Sequence, residues 1–274
     1  MTVTGAWSPA DAQQYRESGA DELVLNYAHG FQERSLDFIA DLPVVRLEIV
    51  TRTIKDLEPI YALAPGLHSV KIITSTSASL DLTRLPWLQR LSANWEQVKG
   101  SIHSGLLLSD LYLAAYAEKD LTPLAGLNSL QNLRMKERRR IENLAGLQSL
   151  KKLSSITIAG GQHLVDVDEL QAIPNDQLES LWLEACGQLS SLDAVSNCTA
   201  LKYLNYGNNG NIASVAPLGD LQRLESLVLY ESTRIDDGDL APLLGLTQLR
   251  RLAMKNRRHY SPSVSDVLAA IASR

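Results

Sequence analysis

Apolar residues recur along this chain at two alternating spacings. The first is a spacing of two. It appears at Leu23 and Leu25, Leu47 and Ile49, Val70 and Ile72, Leu91 and Ala93, Leu111 and Leu113, and Leu133 and Met135. It continues at Ile156 and Ile158, Leu181 and Leu183, Leu204 and Tyr206, Leu227 and Leu229, and Leu252 and Met254. Alternation of this kind marks a strand with one buried face, so eleven strands are predicted. The second spacing is three, as in Leu121, Leu124 and Leu127, or Ile212, Val215, Leu218 and Leu221. That spacing suits a short helix or a 3₁₀ turn. Pro123, Pro217 and Pro242 stand near the start of these second segments, where a missing N–H costs little.

Strand and turn together return about every 20 to 25 residues from near Ala20 onward. The clearest copies read Leu108-x-x-Leu111-x-Leu113, Leu178-x-x-Leu181-x-Leu183 and Leu224-x-x-Leu227-x-Leu229. A period of this size means a solenoid, in which each unit buries its apolar side only against its neighbours. Two local features complicate the register. Leu150-x-x-Leu153 competes with Leu153-x-x-Ile156 for the start of the seventh strand. The unit after Leu88 is short and carries Gly100, Ser101 and Gly105, which predicts an irregular back segment.

The ends read differently. Ser8-Pro9-Ala10-Asp11 predicts a helix with Ser8 as N-cap, running to about Ser18. Ser263-x-x-Asp266 starts another, with Val264, Val267, Leu268 and Ile271 on one face. The expected organisation is one continuous domain: residues 1–19 as a helical cap, 20–260 as the solenoid and 261–274 as the closing helix.

These residues resemble the leucine-rich repeat family over nearly the whole chain. The segment Leu121-Thr-Pro-Leu124-Ala-Gly-Leu127-Asn-Ser-Leu130 resembles the short bacterial class found in internalins. The resemblance implies an α/β, right-handed, curved solenoid with about eleven parallel strands on its concave face and short helices or 3₁₀ turns on its back. It also implies binding on the concave face. The family places Asn, sometimes Cys, three residues after the last strand Leu. Here only Asn209 and Cys186 match, while Tyr116, Arg138, Ser232 and Arg257 stand in that place elsewhere.

Composition narrows the function. Hydrophobic residues make up 45% of 274 residues, enough for a long stacked core. The net charge of −5 argues against a polyanion ligand for the molecule as a whole. Two cysteines, Cys186 and Cys198, make no disulfide framework and fit a reducing compartment. Met1 to Trp7 has no signal-peptide pattern and no segment reaches membrane-spanning length, so a cytoplasmic location is expected. The histidines share no metal-ligand spacing, and nucleophile-elbow, phosphate-loop and dinucleotide motifs are absent. No enzyme activity and no cofactor are therefore expected.

The outward positions carry the candidate chemistry. Tyr112, Trp182, Tyr203 and Tyr230 project from the sheet, Trp95 and Tyr116 lie just beyond their strands, and Glu184 shares the outward row. Trp, Tyr and Arg are enriched at the energetic centres of protein interfaces. Arg134 and Lys136 also face outward and lead into the basic run Glu137-Arg138-Arg139-Arg140. A second basic cluster spans 250–258. The expected function is a monomeric, non-enzymatic module that binds a protein partner through the concave face, possible roles including an inhibitor or immunity-type protein. The alternative is a binder of nucleic acid or another anionic ligand through the clusters at 134–140 and 250–258.

Overall fold

The computed structural model describes residues 1–136 and 140–274. Its strands are β1 (Glu22–Asn26), β2 (Arg46–Thr51), β3 (Ser69–Thr74), β4 (Arg90–Asn94), β5 (Asp110–Ala114), β6 (Asn132–Lys136) and β7 (Ser155–Ala159). They continue with β8 (Ser180–Glu184), β9 (Tyr203–Asn205), β10 (Asn211–Ile212), β11 (Ser226–Leu229), β12 (Arg234–Ile235) and β13 (Arg251–Met254). Eleven of them form one sheet in chain order, and β10 pairs with β12 in a separate two-stranded sheet. Every pairing described within the two sheets is parallel.

The expected strand centres all fall in place. Contacts divide the chain into two compact units, Met1–Ala114 with Gly126–Leu130, and Ala115–Ala125 with Gln131–Arg274. In the first, Leu23, Leu47, Val70, Leu91 and Leu111 stand in register and are buried. In the second, the buried row is Leu133, Ile156, Leu181, Leu204, Leu227 and Leu252. The competition near the seventh strand resolves in favour of Ile156 and Ile158. Leu150 and Leu153 are also fully buried, but in the turn before β7, which is why the sequence pattern offered both starts.

The back segments are almost all 3₁₀ turns, with proline in the first turn at Thr122–Leu124, Ala216–Leu218 and Ala241–Gly245. The unit after Leu88 departs from this, with a one-turn helix α2 (Trp95–Val98) followed by a 3₁₀ turn at Ile102–Ser104. Successive coils approach closely at Gly146, whose φ is 97°: a Cβ there would lie 2.6 Å from the Thr122 backbone nitrogen.

Helix α1 (Pro9–Glu17) starts at Ser8 with a reciprocal cap, Ser8 N–H donating to Asp11 Oδ2 at 2.8 Å and Asp11 N–H to Ser8 Oγ at 3.3 Å. Residues 1–3 add something the sequence did not suggest. Val3 N–H donates to Val24 O and Val24 N–H to Met1 O, so the chain start covers the open edge of β1. Helix α3 (Val264–Ala272) repeats the cap at Ser263 and Asp266. Along its apolar face Val264 and Val267 are buried, while Leu268 is 42% exposed. A helix covering a solenoid end touches it along one narrow stripe, and Leu268 lies beside that stripe. Among the described residues no helix is long and apolar enough to cross a membrane.

Candidate functional site

The strand exits decide which residues can face solvent. After several strands one residue takes a left-handed conformation: Ala115, Gly160, Ala185, Asn208 and Glu231 have φ between 52° and 77°. The chain then turns inward, and a polar group caps the preceding coil. Cys186 Sγ donates to Ile158 O at 3.8 Å, Asn209 Nδ2 to Leu183 O at 2.8 Å, and Thr233 Oγ1 to Tyr206 O at 3.2 Å. Asn209 Oδ1 also accepts from Cys186 N–H at 2.8 Å. Thr233, one residue beyond Ser232, thus supplies the capping group that Asn supplies elsewhere.

This geometry corrects two site assignments. Tyr116 is 1% exposed and its hydroxyl donates to Asp120 O at 2.7 Å, so it fills the inward turn position. Burial, with Glu118 and Asp120 nearby, pushes its pKa far up. Trp95 is 2% exposed, because α2 begins directly after β4 and rolls the ring into the core. Neither is available to a partner.

The remaining candidates do face out. Tyr112 is half-buried on β5 in the first unit, beside Ser92. In the second unit the outward row runs Arg134, Thr157, Trp182, Asn205, Val228 and Ala253 in register. Arg134 and Lys136 are exposed. Glu137, Arg138 and Arg139 of the first basic cluster lie outside the described residues. In the second cluster Lys255 pairs with Glu231 at 3.0 Å and Arg257 donates to Glu231 O at 3.4 Å, so part of it is committed locally.

Trp182, Tyr203 and Tyr230 come together around a cavity of about 580 Å³. Ser180, Ser226, Val228 and Ala253 are small enough to leave the hollow between them. Glu184 braces two walls: one oxygen accepts the Trp182 indole N–H at 2.8 Å and the other the Tyr230 hydroxyl. The hydrogen bond to Glu184 raises the Tyr230 pKa, with burial adding to it. Gly207 makes the bridge possible, since a Cβ there would lie 2.8 Å from the Tyr230 ring. Arg251 belongs to the second basic cluster read from the sequence, whereas Asn205, which also lines the hollow, was not among the site candidates. Asn205 occupies an outward position in register with Trp182, and that adjacency was the available signal.

Solved structures share the fold. The chain aligns with an internalin (inlF) of Listeria monocytogenes at 21% identity and a TM-score of 0.57, over 91% of this chain and 77% of that one. It also aligns with the functional domain of InlJ from Listeria monocytogenes at 21% identity and a TM-score of 0.59, over 78% of this chain. The chain has the internalin-like leucine-rich repeat fold. This leucine-rich repeat chain spans 44% of the InlJ domain. No protein-family model matches it, and no curated protein matches it in sequence. The fold commonly mediates protein binding, and its repeats explain why the site is built from residues 23 positions apart on neighbouring strands.

Proposed function

We propose that this protein is a non-enzymatic, monomeric, cytoplasmic binding module that engages a protein partner through the exposed sheet face around Trp182, Tyr203 and Tyr230. One observation carries the reading: on a face open to solvent, a large indole is 43% exposed yet held in one orientation by Glu184. Holding an exposed aromatic in place before contact lowers the entropy lost on binding. Trp and Tyr so placed are the residue types that dominate interface energetics. A role as an inhibitor or immunity-type protein, covering another protein's functional surface, falls within this reading.

The chemistry of the hollow supports binding over catalysis. Its carboxylate neighbour, Glu184, has each oxygen accepting a hydrogen bond from a wall residue. The cation that lines it, Arg251, forms no ion pair among the described residues. Arg134 and Lys136 extend the same face toward an acidic surface on a partner.

The test starts with affinity recovery of a partner from the native host. Binding of the purified pair is then measured by calorimetry. Trp182→Ala should leave the circular dichroism and thermal transition nearly unchanged and weaken binding by about 2 kcal/mol or more. Unchanged affinity, or loss of folding with binding spared, removes the proposal. Reversing Arg134 and Lys136 to Glu should slow association and flatten its salt dependence.

A further inference from the structure

Beside the hydroxyl-bearing residues Ser180, Tyr203 and Ser226, the hollow is lined by an amide and a guanidinium that can donate to an occupant. Asn205 lies on its floor, flanked by Trp182 on one strand and Val228 on the other, and is only 5% exposed. Its Oδ1 accepts the Gly207 N–H at 2.8 Å, which fixes the orientation of the amide. Nδ2, with two N–H groups, has no partner among the described residues. This donor opens onto the hollow, so an occupant of the hollow can accept from it in place of water. Arg251 lines the same cavity, and its guanidinium makes no ion pair or side-chain hydrogen bond among the described residues. Its strand lies two from that of Asn205, about 10 Å away at the usual strand spacing. Glu184 answers the Trp182 and Tyr230 donors and not these two.

Apolar surface lines the hollow beside the donors, from Trp182, Tyr203, Val228 and Ala253. An occupant that brings a carboxylate and an apolar side chain within one residue satisfies both. A C-terminal apolar residue of a polypeptide does so. An internal acidic residue brings the carboxylate without the apolar side chain, and a phosphate brings neither body nor planar geometry.

We infer that the hollow is a subsite for the C-terminal apolar residue of a polypeptide partner. Its carboxylate would accept from Asn205 Nδ2 and Arg251, and its side chain would lie against Trp182 and Val228. The inference rests on the protein-binding reading above and names the part of the partner that this site takes.

The experiment uses the full chain labelled with nitrogen-15 and two-dimensional NMR, following the Asn205 side-chain amide and the Trp182 indole N–H. N-acetyl-L-phenylalanine should shift both signals saturably. Its neutral amide, N-acetyl-L-phenylalaninamide, should bind at least about tenfold more weakly, the factor carried by a lost charge-assisted hydrogen bond. Arg251→Gln should weaken the acid by a similar factor while leaving the Trp182 signal of the free protein in place. The inference is overturned by equal binding of acid and amide, or by no shift at tens of millimolar acid. Equally strong effects of inorganic phosphate or of N-acetylglutamate α-methylamide at these signals overturn it too, as does an unaltered affinity in Arg251→Gln. These probes need no macromolecular partner. A negative result removes the carboxylate subsite and leaves the Trp182→Ala measurement to judge the binding face.

Discussion

Removing the Asn209 side chain tests whether the strand exits are held by specific side chains or by stacking alone. Asn209 is fully buried and connects two coils: Nδ2 donates to Leu183 O and Oδ1 accepts from Cys186 N–H, both at 2.8 Å. Asn209→Ala leaves a carbonyl and an N–H buried without partners. Each unsatisfied group costs about 1–3 kcal/mol, so the loss for the two should be about 2–6 kcal/mol. Asn209→Cys gives a sharper comparison. Cys186 already makes the donor half of this contact, to Ile158 O at 3.8 Å. The Cys variant should therefore recover the carbonyl bond weakly and lose the acceptor for Cys186 N–H, placing it between wild type and Ala. Urea unfolding followed by circular dichroism gives the midpoint shift at a common slope. Native-state hydrogen exchange should show faster exchange of the Cys186 amide in both variants. A loss below about 1 kcal/mol in Asn209→Ala, or a Cys variant no better than Ala, would refute the capping argument.

Two further outcomes follow from burial. Leu181 is 1% exposed between Ile156 and Leu204 in the inward row, so Leu181→Ala should cost about 2–5 kcal/mol in denaturant unfolding, and a loss under about 1 kcal/mol would place it outside the core. Burial is the main cause that raises the pKa of Tyr116 and Tyr206. Above pH of about 10 the folded chain then holds protons that the unfolded chain releases. Stability from these groups is full below that pH and falls as pH rises toward their folded-state values. Phenolate absorbance should show at least these two of the nine tyrosines ionising only as circular dichroism is lost, whereas reversible titration of all nine in the folded state would contradict their burial.

The strands were legible because a strand has a parity. Once Leu181 and Leu183 are known to face in, Trp182 must face out, and the same step places Tyr203 beside Leu204 and Tyr230 beside Leu229. Parity ends where the strand ends. Trp95 and Tyr116 stand two and three residues past the inward Ala93 and Leu113, where a helical turn at one and a left-handed residue at the other direct the chain inward. The missing Asn positions fail to read for a related reason. Glu231 turns left-handed, Ser232 stays outside on Asn208, and the buried capping role moves one residue on to Thr233.

The candidate site shows a different limit. Alternation says that Asn205 faces outward, yet it is one of the most buried polar residues of the chain. Its burial is decided by neighbours on other strands: Trp182 in register on one side, Val228 on the other, and the Tyr230 ring laid over Gly207. A one-dimensional pattern assigns a residue to a face. What covers it there depends on the sizes of residues about one repeat away in both directions. Large residues at Trp182, Tyr203 and Tyr230 set against small ones at Ser180, Ser226 and Ala253 turn a sheet surface into a hollow. That contrast, compared across aligned repeats and not along one strand, is the feature that separates this part of the outward row from the ordinary sheet surface at Arg134 and Thr157.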